Sequence, residues 1–459
     1  MYACGRIIPH AIVSAGNPPP RASLRLLDPR GRIAALADPD SLVSLDVPRA
    51  SPWLGRFGIA AQDDDGVATA ALMLGGARVL AAAQDERFVG GSIGARHGEA
   101  LASLLRRAID ERAAAVILLM ASGGVRLFEA NAAELAAARA LRALLDARAA
   151  GVAVAALGVG DVFGGASVLA CAAGHLALLP AARIGLSGPR VIEAARGRDE
   201  LDASDAAAVD ALFGATARAA ARDVALIDDD SRAIRAWVMD AMRDMAPFGA
   251  QVTAMHERLD ARAPGAAEGF TRPALLQGRN DAMAMDATGR LWRVGNTLVT
   301  APFTGRAFDG ASVHALDSAL LDAASTSAAD ALVVTEDSRG HDVSRAAEAR
   351  FDSCLLAQHA AVLAYLRHRG MRVTGLLCGS GHSAAFFVNA LQGSRLFAVA
   401  DARVVAMEPA AIARVTGRDV AALIDDDPLL GQPVRHFAAL GGVDGVVDAA
   451  DVLDILLGR

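Results

Sequence analysis

This sequence contains no lysine. Arginine supplies all 45 of its basic side chains across 459 residues. The absence excludes a lysine Schiff base, a lysine anchor for pyridoxal phosphate and the lysine of a phosphate-binding P-loop. Proteins carry biotin on lysine, so any biotin involved in the function must belong to another chain.

Aromatic residues and cysteines are also scarce. Aromatics make up 4% of the chain and the net charge is −7, which argues against a nucleic-acid partner with stacked bases or a phosphate backbone. No two cysteines are arranged as C-x-x-C, so we do not expect a zinc ribbon. Aspartates also run together at 63–65, 228–230 and 425–427, but consecutive side chains diverge, so we expect no metal site there. So few cysteines in so long a chain are typical of a reducing compartment. They are Cys4, Cys171, Cys354 and Cys378.

No segment is expected to enter or cross a membrane. The apolar pair Ile7-Ile8, which precedes Pro9, is too short for a signal peptide. Residues 152–179 are strongly apolar, but glycines and Asp161 interrupt them, so a buried strand, turn and helix fit better than a membrane span. Together with the cysteine usage, this predicts a cytoplasmic protein.

The residues that are present form two copies of one pattern. Hydrophobic residues make up 53% of the chain, enough for a large core. Each copy has a short apolar strand, a long helix, a second strand, a glycine turn and a helix of small residues. Alternating strands and helices predict parallel β-α-β units, so the predicted fold class is α/β with two tandem copies. The strands are predicted at 116–120, 152–157, 332–335 and 373–377, and the long helices at 129–149 and 345–369.

Composition shifts suggest where the two copies begin and end. The first residues are rich in proline, and prolines and glycines cluster again between the copies. We therefore predict an N-terminal arm at 1–50, a first domain at 51–245, a linker at 246–285 and a second domain at 286–459.

The glycine turns are the first candidates for chemistry. A strand that runs through Gly164-Gly165 into a helix leaves backbone N–H groups without partners at the positive end of the helix dipole. Such a turn can bind an anion or a carbonyl oxygen that is becoming one. A second glycine turn, Ser380-Gly381-His382, stands at the matching place in the other copy.

Four glycine-containing segments form a recognisable set, namely Phe88-Val-Gly-Gly-Ser-Ile-Gly94, Ala121-Ser-Gly-Gly-Val-Arg-Leu-Phe-Glu-Ala-Asn131, Val162-Phe-Gly-Gly165 and Gly185-Leu-Ser-Gly-Pro-Arg-Val-Ile-Glu193, with 51–54 and 64–67 as extensions. They resemble the carboxyltransferase signatures of the crotonase superfamily, particularly those of the β subunit of biotin-independent malonate decarboxylase. Residues 330–447 resemble the γ subunit, notably Ala413-Arg-Val-Thr416 and Leu440-Gly-Gly442. The resemblance implies a β–γ fusion with two tandem crotonase-like domains.

The resemblance also implies an activity. Such enzymes decarboxylate a malonyl thioester on an acyl carrier protein to the acetyl thioester. Gly164 and Gly165 would donate their N–H groups to the thioester oxygen while the enolate forms. No cofactor would be bound covalently, because a carrier-protein subunit would supply a phosphopantetheine-type, dephospho-CoA-derived arm. The expected partners are this carrier and an acyl-carrier transferase subunit, with no nucleic acid and no membrane.

The candidate site residues come from these motifs. The candidate catalytic residues are Gly164, Gly165, Gly381 and His382, and the candidate substrate-binding residues are Gly90, Gly91, Ser92, Gly123, Gly124, Arg126, Glu129 and Ser380. Structural explanations remain open for some of them. Arg126 and Glu129 could form an i,i+3 pair, and Ser92 could cap the following helix.

The second copy departs from the family pattern. His382 stands where the γ family has glycine, and Asp337-Ser-Arg-Gly-His341 replaces its Asp-Thr-Pro-Gly-Gln stretch. His382 could fill space without a function or could protonate the enolate. Two other functions stay open. One is carboxyl transfer to biotin on a partner chain, and the other, because the second turn is altered, is a non-catalytic binding or assembly subunit.

Overall fold

The protein is described from a computed structural model. The description covers residues 22–448 apart from 47–48, 244, 264, 266–268, 408–412, 414–416 and 418–426. The first 21 residues of the predicted N-terminal arm therefore lie outside the described residues, and so do three of the four residues of the Ala413–Thr416 motif.

The described part of the first half is built on an eight-stranded sheet. Its strands are β1 (Val43–Ser44), β2 (Val67–Leu74), β3 (Ala77–Gln84), β4 (Ala115–Ser122), β5 (Ala153–Phe163), β6 (His175–Leu178), β7 (Ile184–Gly185) and β8 (Ala225–Leu226). The strand order is β1-β2-β3-β4-β5-β6-β8, and β7 pairs with the end of β5. The first three strands are antiparallel, and the pairs from β3 onwards are parallel.

The second half repeats this order in a seven-stranded sheet. Its strands are β9 (Met283–Ala284), β10 (Leu291–Val294), β11 (Thr297–Thr300), β12 (Ala331–Glu336), β13 (Arg372–Leu377), β15 (Arg395–Val399) and β17 (Gly445–Val447). An antiparallel hairpin, β10–β11, again leads into parallel strands. The remaining strands β14 (Ser380–His382) and β16 (Arg403–Val405) pair in parallel, much as the end of β5 pairs with β7.

Helices connect the strands and cover the sheets. In the described residues they are α1 (Pro29–Ala34), α2 (Ala95–Asp110), α3 (Ala130–Ala149), α4 (Gly165–Ala172), α5 (Pro189–Arg196), α6 (Ala206–Phe213), α7 (Ala215–Ala220), α8 (Ser231–Arg243), α9 (Phe248–Leu259), α10 (Gly310–Thr326), α11 (Arg345–Arg350), α12 (Asp352–His368), α13 (Ser383–Val388) and α14 (Val434–Ala439). None of them has the combination of length and apolar character that crossing a bilayer requires.

Strand β4 shows why the central strands contain almost only apolar residues. Val116 and Leu118 point to the face that α2, α3 and α4 cover, whereas Ile117 and Leu119 point to the face that α1 and α8 cover. A strand buried on both faces has no polar side and forms a continuous apolar run. The predicted α/β class, with two tandem copies of one strand–helix pattern, is confirmed.

Two predicted boundaries differ from the structure. The predicted helix 345–369 is interrupted at Phe351, whose φ of 63° ends α11 before α12 begins. The segment 246–285, predicted as a linker, contains α9. This helix buries Phe248 and Val252 and accepts a hydrogen bond from the Gln358 amide of α12 at the Val252 carbonyl (3.0 Å). The division of the chain into domains stays a prediction.

The two halves pack against each other through helices. Helix α4 packs against α12, where the hydroxyl oxygens of Ser167 and Ser353 lie 2.8 Å apart. Helix α13 packs against α3, and Arg142 donates to the carbonyl of Gln392 at 3.0 Å. One continuous hydrophobic core includes residues of both halves, so the interface belongs to the fold itself.

Candidate functional site

A cavity of about 460 Å³ lies between the two halves. The glycine turns of the first half form one wall. His341, Ser383 and Phe387 contribute to the wall from the second half. Seven of the candidate site residues line it, namely Gly90, Ser92, Gly123, Gly124, Arg126, Gly164 and Gly165. The cavity therefore brings together turns that are up to 75 residues apart in the sequence.

Glycine is required where the turns touch. Gly124 and Gly164 have φ angles of 106° and 60°, which side chains rarely tolerate. A Cβ atom on Gly124 would lie 3.1 Å from the carbonyl oxygen of Phe163, and one on Gly164 would lie 3.2 Å from the Cα atom of Gly124. The N–H of Gly123 donates to the carbonyl of Gly90 at 2.9 Å. The turns therefore support one another through their backbones.

The N–H groups of Gly164 and Gly165, the two glycines of the first turn, differ in their hydrogen bonding. The N–H of Gly164 donates to the carbonyls of Gly185 and Leu186 at 3.2 and 3.1 Å. It is thus already engaged, contrary to its predicted role as a donor to substrate. Gly165 is the first residue of α4, and its N–H has no acceptor among the described residues. Such a group is one of the unpaired donors at a helix start.

Val125 presents a second N–H group of this kind. Its neighbours bond to Ile93: the carbonyl of Gly124 accepts from the N–H of Ile93 at 2.8 Å, and the N–H of Arg126 donates to the carbonyl of Ile93 at 2.9 Å. Because successive residues of an extended chain point their backbone groups in opposite directions, the Val125 N–H points away from Ile93. No acceptor for it occurs in the part of the chain described.

The N–H groups of Val125 and Gly165 belong to neighbouring walls of the cavity. Both residues line it, and a Cβ atom on Gly165 would lie 3.0 Å from a methyl group of Val125. Sequence reasoning missed Val125. The signal was present, because Gly123-Gly124 follows β4 as Gly164-Gly165 follows β5.

Arg126 is the centre of a buried polar network. Its Nη1 lies 2.7 Å from the Asp65 carboxylate and 3.0 Å from that of Glu129. Glu129 also accepts hydrogen bonds from the Ser51 hydroxyl (2.7 Å) and from the Ala95 N–H (2.6 Å). Arg126 borders the cavity, but Glu129 does not line it. The geometry favours the structural interpretation of the pair, and Glu129 caps α2.

Ser92 does not cap α2, so that interpretation is wrong. Its hydroxyl donates to the carbonyl of Val89 at 2.7 Å, and the residue at the helix cap is Gly94. Ser92 thereby fixes the conformation of its own turn and lines the cavity.

The second glycine turn takes a different place. Ser380, Gly381 and His382 form β14, and none of them lines the cavity. A Cβ atom on Gly381 would lie 2.8 Å from the ring of Phe386, so this glycine is needed for packing. Gly91 also lies outside the lining, with its Cα turned towards the Ala121 carbonyl. The protonating role of His382 stays a prediction.

Glu348 anchors one wall of the cavity from the other half of the molecule. Its carboxylate accepts hydrogen bonds from the N–H groups of Leu186 (3.1 Å) and Ser187 (2.5 Å). Burial raises the pKa of Glu348 to about 7, although these bonds and Arg218 counteract it. The Ser187 hydroxyl lies 3.1 Å from Nε2 of His341, and burial lowers the pKa of His341 to about 4.

Glu134 is a second residue that sequence reasoning missed. It lies on α3, is 1% exposed and lines the cavity. Its Oε1 atom has no hydrogen-bond partner among the described residues, and burial alone raises its pKa to about 8. The sequence signal was a glutamate on a helix whose other buried positions are almost all alanine or leucine.

Among the described residues, one group of side chains could hold a metal ion, and none of its members lines the cavity. Ligand atoms of His256, Asp260 and His314 lie within 4.8 Å of one another. His314 Nε2 is 2.7 Å from Asp260, and the two imidazole rings stack at 4.1 Å. These contacts join α9 to α10.

Two known families match different parts of the chain. A family described as carboxyl transferase domain matches residues 27–242. A family described as malonate decarboxylase gamma subunit matches residues 310–458. The first match includes every strand of the eight-stranded sheet, and the second includes β12, β13, β15 and β17 of the seven-stranded sheet.

Two relatives and one solved structure each match less than half of this chain. The malonyl-S-ACP:biotin-protein carboxyltransferase of Malonomonas rubra is 35% identical over 175 residues, which cover 35% of this chain and 55% of that protein. The acetyl-coenzyme A carboxylase carboxyl transferase subunits beta/alpha of Saccharopolyspora erythraea are 36% identical over 26% of this chain and 21% of that protein. A chain from the crystal structure of a Pseudomonas malonate decarboxylase hetero-tetramer in complex with malonate is 34% identical. That match covers 49% of this chain and 85% of that one, with a TM-score of 0.47.

Proposed function

We propose that this chain, in which a match to a carboxyl transferase domain precedes a match to a malonate decarboxylase gamma subunit, decarboxylates a malonyl thioester. The thioester would be carried by an acyl carrier protein, and the product would be the acetyl thioester. The two family matches support this proposal.

The observation that carries the proposal is the pair of unpaired backbone N–H groups at Val125 and Gly165. When the carbon–carbon bond to CO₂ breaks, its electron pair is delocalised into the thioester as an enolate. Negative charge then develops on the thioester oxygen. Fixed donors aimed at that oxygen stabilise the transition state, and losing one such donor costs about 2.7–4 kcal/mol.

The proposed donors are thus Val125 and Gly165. Gly164 has a positioning role, because its N–H holds the turn to Gly185 and Leu186. The macrodipole of α4, which begins at Gly165, adds partial positive charge at the same place. Both the hydrogen bonds and the dipole favour an oxygen that gains negative charge over a neutral carbonyl.

The substrate would reach the cavity on the arm of a partner. We infer a phosphopantetheine-type, dephospho-CoA-derived thioester arm on a carrier-protein subunit, and an acyl-carrier transferase subunit in the same assembly. The related Pseudomonas enzyme was crystallised as a hetero-tetramer, which supports a role in a multisubunit complex. This chain would bind the arm without a covalent link.

A second candidate is carboxyl transfer to biotin on a partner chain. The Malonomonas rubra relative, named for that reaction, favours it. In both reactions CO₂ or its equivalent leaves the malonyl group and the same enolate forms. They differ in the acceptor of the carboxyl group.

The test measures CO₂ and acetyl thioester formed from malonyl-carrier protein by the purified chain, with and without biotinylated carrier. We expect both products in a 1:1 ratio without biotin and slower reaction with methylmalonyl-carrier protein. Carboxybiotin formation with no turnover in its absence would support the second candidate instead. Binding of malonyl-carrier protein without any turnover would indicate a non-catalytic subunit.

A further inference from the structure

We propose that the carboxyl group of Glu134 protonates the carbon of the enolate after CO₂ has left. This inference rests on the proposed function, because it assigns a group to the second half of that reaction.

The placement of Glu134 is the main argument. Its side chain is buried but borders the cavity that also contains Val125 and Gly165. Oε1 has no partner among the residues described, although a buried polar group normally finds one. Leaving such a group unpaired costs about 1–3 kcal/mol, so a role towards a bound molecule is a physical reason for its presence.

The surroundings keep Glu134 neutral and therefore able to donate a proton. The pKa of Glu134 is raised to about 8 by burial alone, with no charged group contributing. Of the helices that pack against α3, α4 and α13 contain no carboxylate, arginine or histidine, and no charged side chain of α2 or α12 contributes to the pKa shift of Glu134.

Two other ionisable side chains occur among the described residues that line the cavity, and both are poorer proton donors. Arg126 is paired with Asp65 and Glu129, and an arginine keeps its proton in proteins. His341 has a pKa of about 4 and is neutral at pH 7. A protonated Glu134 also adds no negative charge that would repel the malonyl carboxylate.

The proposed step balances as follows. The bond between the carboxylate carbon and the α-carbon breaks, CO₂ leaves, and the bonding pair becomes the enolate. The enolate α-carbon then uses this pair to take the proton from the Glu134 carboxyl group. The acetyl thioester forms, and Glu134 is left as a carboxylate that solvent reprotonates. Overall, one proton is consumed for each CO₂ released.

A proton donor on the protein also separates the two candidate reactions chemically. In carboxyl transfer to biotin, the ureido N–H gives up its proton as the carboxyl group arrives, so the enolate can be protonated from biotin. Direct decarboxylation has no such source. An unpaired carboxylic acid in the cavity is therefore a feature that decarboxylation needs and transfer does not.

The experiment follows the proton directly. Wild type and Glu134→Gln are incubated with acetyl-carrier protein in D₂O, and deuterium entering the acetyl group is measured by mass spectrometry. Because ionised Glu134 removes the α-proton in this reverse step, we expect exchange to fall at least about 100-fold in the variant, within the range for a general acid–base group. No malonyl group is needed, so this result does not depend on whether the chain releases CO₂.

Turnover supplies the second measurement. With malonyl-carrier protein, Glu134→Gln should lower kcat at least about 100-fold with little change in KM, and the fall of kcat above pH 8 should disappear. Glu134→Asp should recover part of the rate. The proposal would be overturned if Glu134→Gln exchanged deuterium as fast as wild type and its kcat still fell above pH 8.

Two further variants keep the test decisive. Glu134→Leu fills the same space without a polar group and serves if Glu134→Gln folds poorly. Glu336→Gln is the matched control, since burial raises the pKa of Glu336 to about 7 but both its oxygens accept hydrogen bonds, from Ser338 and Asn389, and it does not line the cavity. It should keep wild-type exchange and pH dependence, and a loss equal to that of Glu134→Gln would overturn the assignment.

Discussion

Substitution removes a backbone N–H group only when the new residue is proline. Position 165 is favourable for proline because it is the first residue of α4. Proline is well tolerated at the first position of a helix. We expect Gly165→Pro to lower kcat/KM of decarboxylation at least about 100-fold, as for loss of one oxyanion donor. The control is Gly165→Ala, which keeps the N–H and adds a methyl group 3.0 Å from Val125. Equal rates in the two variants would contradict a donor role.

Glu134 should also affect how stability depends on pH. Its pKa is about 8 in the folded protein against an ordinary value of 4.5, so between these values the unfolded chain binds fewer protons. The free energy of unfolding therefore falls as pH rises through this window, by at most about 1.4 kcal/mol per pH unit.

Glu134→Leu removes this dependence. We expect the free energy of unfolding of Glu134→Leu, minus that of wild type, to increase from pH 5 to pH 7. Urea denaturation at each pH measures this difference. Glu257→Leu, at an exposed position of α9, is the control and should show no such trend. A difference between Glu134→Leu and wild type that is constant with pH would mean that Glu134 is ionised in the folded protein.

Individual donors were harder to predict than the turns that carry them. Glycines mark backbone conformations, so the turns at Gly124 and Gly164 could be located from the sequence alone. The N–H of Gly164 is paired because the segment at Gly185 and Leu186 reaches it, and this contact exists only in the folded protein. Glu134 was missed because its importance depends on the lack of a hydrogen-bond partner for Oε1 among the described residues, which a sequence does not show.

At the scale of elements, one carboxylate of the second half positions a segment of the first. Loss of Glu348 would leave the N–H groups of Leu186 and Ser187 unpaired, each at a cost of about 1–3 kcal/mol. Because these residues line the cavity, we expect Glu348→Ala to raise KM about tenfold and to lower the melting temperature. Steady-state kinetics and thermal unfolding measure the two effects.

Glu348→Gln retains one acceptor and should be less severe than Glu348→Ala. Glu257→Ala controls for the loss of a carboxylate at an exposed position. If Glu348→Ala keeps the wild-type KM, the segment at 186–188 does not depend on this anchor.

Regular elements were predictable where one physical signal dominated. The strands at 116–120 and 373–377 and the helix at 129–149 follow from apolar runs and periodicity, and the structure has them within a few residues. Helix α9 was missed because the surrounding prolines suggested a linker. Its buried Phe248 and Leu259 belong to an apolar face at helical spacing that should have outweighed them.

At the scale of the whole molecule, the interface between the halves is held by apolar packing and polar contacts. Arg367 of the second half lies 3.2 Å from Asp146 of the first, and Asn131 donates to the carbonyl of Gly431 at 2.8 Å. We expect the halves to remain associated when they are expressed as two chains divided between residues 263 and 269. Co-purification and analytical ultracentrifugation test this. Two separate monomers would contradict it.

The placement of the cavity between the halves has a kinetic consequence. Each half builds one wall, so the cavity is complete only when the two halves are associated. In the intact chain this association is intramolecular. Because the halves are covalently connected, each experiences the other at an effective concentration of about millimolar, as for a short linker. The specific activity of the intact chain should therefore stay constant on dilution to nanomolar concentration. In the divided protein it should fall once the concentration passes below the dissociation constant of the halves.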